Sequence, residues 1–223
     1  MKKELFVLLM LLLPTCMFAA SFEDKQEVIE TGMTKKDMWI NLKKWVSSTF
    51  NSYEHVVDLE DEEAGVISVK WKNRVGLNSS KYIKILASST IKVDVKDNKY
   101  RYTLSDEQVV IEPNIGRTSE MSYNDLKEGI SDLEFIEYFC TKYYNESAKI
   151  QMDDRFVNIL KEYNEKVEST PKYKNEKKKK ISKEWEKINK EYNILSEINN
   201  TYNSVSELII SSLKKNIILK DEW

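Results

Sequence analysis

From Ile91 to Leu104 the chain changes polarity at every second residue, with one two-residue interruption. Ile91, Val93 and Val95 alternate with Lys92, Asp94 and Lys96. Asp97-Asn98 follows, and Tyr100, Tyr102 and Leu104 resume the pattern. A period of two sends one set of side chains to one face of a strand and the other set to the opposite face. Asp and Asn tolerate the positive φ of a tight hairpin turn. The segment is therefore an antiparallel hairpin with one dry face and one wet face, and the dry face must be covered by another layer.

Other strands extend the hairpin. Val66 to Trp71 alternates Ile67, Val69 and Trp71 with Ser68, Lys70 and Lys72. The strand before the Asp97-Asn98 turn reaches back to Lys81, with a bulge expected near Ala87-Ser88-Ser89. His55 to Leu59 leads into the charged turn Glu60-Asp61-Glu62-Glu63-Ala64-Gly65. Ser105-Asp106 reads as a turn before a last strand, Gln108 to Glu112, which Pro113-Asn114 and Gly116 end. Gln26 to Glu30 reads as a short first strand. The cover is a helix from about 34 to 50. Thr34 and Asp37 form its capping box, and Met38, Leu42, Trp45, Val46, Thr49 and Phe50 make one largely apolar stripe. The class is α+β: an antiparallel sheet packed on one helix, followed by a helical C-terminal extension.

The C-terminal half shows helical periodicity. Ser131-Asp132-Leu133-Glu134 reads as a capping box, with Ile136, Phe139, Tyr143 and Ile150 on one helical face. A break is expected near Gln151 to Asp154, before the stripe Phe156, Ile159, Leu160, Tyr163 and Val167. Thr170-Pro171 signals the next helix start. Ile181, Trp185, Ile188, Tyr192 and Leu195 form a short seam of coiled-coil spacing. Its expected cover is the chain's own stripes, around Ile159 and Tyr163 and around Ile209 and Leu213, which makes the protein a monomer. Asn199-Asn200-Thr201 should weaken the helix.

The N-terminus reads as an address. Lys2 and Lys3 precede the apolar run Leu5 to Leu13, which is too short to span a bilayer. A signal peptide over 1–20 leaves an α+β domain over 22–117 and a helical region over 125–223. Cleavage is expected within Phe18-Ala19-Ala20-Ser21. The competing reading is a lipoprotein signal with Cys16 acylated, which would attach the protein to a membrane. Either way the protein is exported, to the periplasm or the cell envelope. Cys140 is then a lone cysteine in an apolar helix, read as a buried small hydrophobe.

Residues 26–113 resemble a family of exported bacterial proteins classed as a domain of unknown function with a TBP-like fold. Thr31-Gly32-Met33-Thr34-Lys35-Lys36, Trp39 and Leu42-Lys43-Lys44-Trp45-Val46 carry the likeness, followed by Val57, Gly65, Ile67 and Lys70. Tyr100-Arg101-Tyr102-Thr103-Leu104 and the terminal Asp221-Glu222-Trp223 add to it. The resemblance implies a curved antiparallel sheet gripping a helix. It implies no activity and supplies no catalytic residues.

Composition narrows function by exclusion. The 223 residues include 5 Gly, 1 His and 2 Cys. Clustered-glycine cofactor loops are absent, and most metal and nucleophile chemistry lacks its side chains. No catalytic, cofactor-binding or metal-binding residue is assigned. His55 has no nucleophile motif beside it, and the turn from Glu60 to Glu63 lacks the spacing of a calcium loop. The lysines from Lys172 to Lys190 interleave with glutamates, Glu176 with Lys180 and Glu186 with Lys190 at helix-pair spacing, as on a solvated helix face. The chain is slightly acidic, at net charge −2, so nucleic acid is not the expected partner. The 12 Tyr and 5 Trp serve packing first and stacking on sugars second. The resulting expectation is a non-enzymatic binding or interaction module of the envelope, with a glycan or an envelope protein as ligand. A glycan hydrolase using a carboxylate pair and an assembly protein are the alternatives.

Overall fold

The computed structural model describes residues 25–114, 122–172 and 179–219. The signal segment with Cys16, and the lysines of 173–178, lie outside them. Six strands, β1 (Lys25–Glu30), β2 (Val57–Asp61), β3 (Val66–Gly76), β4 (Ile83–Lys96), β5 (Lys99–Pro113) and β6 (Lys149–Gln151), build one antiparallel sheet. Its order is β1-β5-β4-β3-β2, with β6 pairing on β5 beyond β1. The helices are α1 (Lys35–Thr49), α2 (Tyr53–Val56), α3 (Tyr123–Tyr144), α4 (Asp154–Ser169) and α5 (Lys179–Ile217). The α+β class and the antiparallel meander are as read from the sequence.

The alternation places Ile83, Ile85, Ile91, Val93, Tyr100 and Tyr102 on the buried face. Lys70, Lys72, Lys92 and Arg101 are exposed on the other. Ser105-Asp106 is a bulge and not a turn, so β5 runs unbroken to Pro113. Ser88 faces Gln108 while Thr90 faces Ser105, which leaves one extra residue on β5. Asp106 absorbs it at φ 54°. The insertion shifts the phase by one, so Val109 and Ile111 return to the dry face that Tyr102 and Leu104 occupy.

Helix α1 covers that face as expected. Thr34 caps it by accepting a hydrogen bond from the Asp37 backbone N–H. Met38, Leu42, Trp45 and Val46 are fully buried in one core with Ile67, Val69, Ile91 and Val93.

The second layer departs from the sequence reading at four points. The capping box of α3 is Ser122 with Asp125, two turns upstream of Ser131, because Ser122 Oγ accepts the Asp125 N–H and Asp125 accepts that of Ser122. Leu126 and Ile130 are exposed, so the first turns of α3 carry no buried stripe that marks the start in the sequence. Ile150 is buried in β6 and lies on no helix face. Thr170 ends α4: its hydroxyl donates to the Lys166 carbonyl at 2.7 Å. Asn199-Asn200-Thr201 does not interrupt α5, which continues for 39 residues. Ile198 and Tyr202 flank the weak triplet and are buried, and that burial outweighs propensity deficits of a few tenths of a kcal/mol per residue.

Helix α5 joins the parts. Its N-terminal half packs on α4, where Trp185 Nε1 donates to the Val167 carbonyl at 3.1 Å. Leu195 is buried, and Ile188 and Tyr192 pack against the core half-buried. Further along, Tyr202 stacks on Trp71 with ring centroids 6.2 Å apart. At its end Asn41 of α1, itself buried, donates to the Ile217 and Leu219 carbonyls at 3.1 and 2.6 Å. Residues of the sheet, α1, α3, α4 and α5 thus share one hydrophobic cluster.

Candidate functional site

The residues with chemical potential in the sequence make local contacts with their neighbours. Ser52 Oγ and His55 Nδ1 share a 2.6 Å hydrogen bond across one turn on the surface, and among the described residues no carboxylate joins them. The acidic turn is closed on itself. Glu60 accepts from Tyr53 at 2.7 Å and pairs with Lys43 at 2.7 Å, Asp61 accepts the Ala64 N–H, and Lys35 Nζ reaches the Glu63 carbonyl. Gly65 closes the turn at φ 77°, where a Cβ would stand 2.6 Å from the Val95 carbonyl oxygen. No cluster of three or more His, Cys, Asp or Glu side chains able to hold a metal occurs among the described residues. Cys140 is buried and free, and burial pushes its thiol up to about 11, so it is inert at neutral pH.

The basic run is partly drawn into the fold. Lys172 lies over the Trp185 ring at 4.5 Å. Lys190 pairs with Asp132 of α3 at 2.7 Å, and not with Glu186 as helix spacing suggested. Glu191 is held above its ordinary range. Burial raises it, against the weaker pull of Lys187 and Lys166. Most aromatics pack inside: Phe139 alone has Phe135, Tyr143, Tyr144, Phe156 and Tyr163 around it at 4.9 to 6.4 Å.

Among the described residues, one aromatic points the other way. On α3, Asp132, Ile136, Phe139 and Cys140 face the interior. Glu134, Glu137, Tyr138, Thr141 and Lys142, spaced i, i+3, i+4, i+7 and i+8, form the opposite face. They line an open depression of about 380 Å³. Tyr138 is 58% exposed. Lys142 bridges two rings, 5.7 Å from the centroid of Tyr138 and 4.8 Å from that of Tyr143. Tyr143 raises the Lys142 ammonium above its usual range, so that charge is firmly held. This ledge combines an aromatic face, two carboxylates, a hydroxyl and an ammonium. In the sequence Tyr138 is one of 12 tyrosines. The available signal was its position off the Ile136, Phe139, Tyr143 stripe, flanked at four residues by Glu134 and Lys142.

Sheet and helices define an α+β protein of one antiparallel sheet whose apolar face is covered and whose surface carries a ledge. Residues 25–109 match the family described as a domain of unknown function (DUF4468) with TBP-like fold. The resemblance to a domain of unknown function with TBP-like fold is thereby shown over residues 26–109. Two solved structures also match the chain. One is a DUF4468 family protein from Bacteroides ovatus, at 11% identity and TM-score 0.34, covering 48% of this chain and 77% of that one. The other is a TBP-like protein from Parabacteroides distasonis, at 9% identity and TM-score 0.42, covering 86% and 92%. No curated protein matches the chain. Among the described residues no helix is long and apolar enough to cross a membrane.

Proposed function

We propose that this is an exported protein of the cell envelope that acts by binding, without catalysis of its own. The leader-like N-terminus supports export, with Cys16 as the point of membrane attachment if it is acylated. The observation that carries the binding role is the ledge on α3. A large aromatic side chain left 58% exposed beside four hydrogen-bonding side chains is a surface equipped for recognition. The carboxylates there stand on an open face from which water is not excluded, unlike the enclosed sites in which a general acid is tuned. An assembly role draws on the same helix, where Leu126 and Ile130 are also exposed.

Two measurements test the proposal. Mass spectrometry of the native protein should find a mature chain beginning at residue 16, 21 or 22, with a lipid adduct at 16 selecting the lipoprotein form. A cytoplasmic chain starting at Met1 would refute export. The purified mature protein should co-sediment with isolated envelopes, and a Tyr138→Asp variant should do so less. Undiminished sedimentation would remove the ledge from the role.

A further inference from the structure

We infer that the ledge is a subsite for the neutral pyranose rings of a glycan, with Tyr138 as the stacking platform and Glu134, Glu137 and Thr141 as hydroxyl partners. This rests on the reading of the protein as an envelope binding module and names its ligand class.

The chemistry of the five side chains selects the ligand. A pyranose has an apolar face of C–H bonds and an equatorial rim of hydroxyls. It therefore requires a flat aromatic surface and, around it, acceptors that take two donors each. Tyr138 supplies the surface. Glu134 and Glu137 stand beside it, one turn and one residue back, and ionised carboxylates accept only, with room for several O–H donors each. Thr141 can both donate and accept, and Lys142 donates to ring or glycosidic oxygens.

Charge and shape exclude the other occupants. Two glutamates and one lysine leave the ledge at about −1, so it offers no net positive charge to uronic-acid or phosphate polymers. The depression is open and shallow, without the deep apolar pocket that anchors a peptide side chain. Residues 134 to 142 span about 12 Å along the helix axis, the length of a short oligosaccharide and not of one ring.

The ledge is also preorganised. Lys142 is fixed between Tyr138 and Tyr143, and Tyr143 is itself packed 4.9 Å from Phe139 in the core. Tyr138 is therefore steadied from the interior through one cation and one ring, which lowers the ordering cost of binding.

The test is an array of oligosaccharides read by fluorescence polarisation with the mature protein. The probes are neutral hexose and N-acetylhexosamine oligomers, oligogalacturonate and a decalysine peptide. Neutral oligomers should bind, with oligogalacturonate at least tenfold weaker. Tyr138→Ala should weaken neutral binding at least tenfold, Tyr138→Trp should keep it, and Glu134→Gln with Glu137→Gln should weaken it about threefold. All three positions are exposed, so these variants should keep the fold. Preference for oligogalacturonate or decalysine, or equal binding by Tyr138→Ala, overturns the subsite. If envelopes still sediment the protein while the array shows no neutral binding, the subsite falls and the binding module stands. If neither binds, both fall. Shortened products from a bound oligomer would replace the binding module with a hydrolase.

Discussion

Lys190 of α5 places its ammonium 2.7 Å from the Asp132 carboxylate of α3, and that carboxylate retains 4% of its exposure. A carboxylate so enclosed depends on its partner. Lys190→Met should cost about 1–3 kcal/mol, below the usual loss for a buried pair because the lysine is itself 44% exposed. Urea denaturation of Lys190→Met, Asp132→Leu and the double variant measures it. The double variant should recover most of the loss. Additive losses would show that the two charges do not interact.

Trp45 is the largest side chain wholly enclosed on α1. Trp45→Ala should cost about 3–5 kcal/mol and lower the melting midpoint accordingly. An unmoved midpoint would contradict the packing of α1 on the sheet.

Glu191 is a liability at neutral pH. Burial raises its folded pKa above the ordinary 4.5, so the native state holds the proton more tightly than the unfolded chain. Its unfavourable contribution is absent below pH 4.5 and grows as pH rises through the folded value. Glu191→Gln should therefore raise the melting midpoint at pH 7 by on the order of 2 °C, with the gain fading towards pH 4. A gain of equal size at both pH values would remove ionisation as the cause.

Glu27 behaves in the opposite way. Hydrogen bonds from Lys214 and Tyr102 hold its carboxyl below the usual 4.5. The link between β1 and α5 is complete above pH 4.5 and is lost as pH falls through the folded value. The protection factors of the β1 amides, corrected for the intrinsic pH dependence of exchange, should fall over that acid window, and Lys214→Ala should flatten the dependence.

Trp185 seats its indole N–H on the Val167 carbonyl within the same chain. Light scattering should therefore report a monomer at low and high salt, and Trp185→Asp should lower stability without changing mass. A dimer that this variant dissolves would relocate the seam to an interface between copies.

The strands and α1 were legible because each rests on local alternation or a local stripe. The unbroken β5 was not. A Ser-Asp pair suits a turn and a bulge equally, and only pairing with Ser88 and Thr90 decides between them. The start of α3 was hidden because its first two turns expose Leu126 and Ile130. The partner of Lys190 is 58 positions away in sequence, beyond any rule of helix spacing. The ledge was visible only in part, since Tyr138 counts as one aromatic among many until the buried side of α3 is known.

The hydrogen bonds from Asn41 to Ile217 and Leu219 join residues 176 and 178 positions apart, and Tyr202 meets Glu107 across 95. These contacts order events in time. Until α5 docks, Trp71 lacks the Tyr202 ring and Asn41 lacks the Ile217 and Leu219 carbonyls. Long-range closures of this kind slow folding. The sheet and α1 therefore stay unlocked until α5 docks, and that helix serves as the latch.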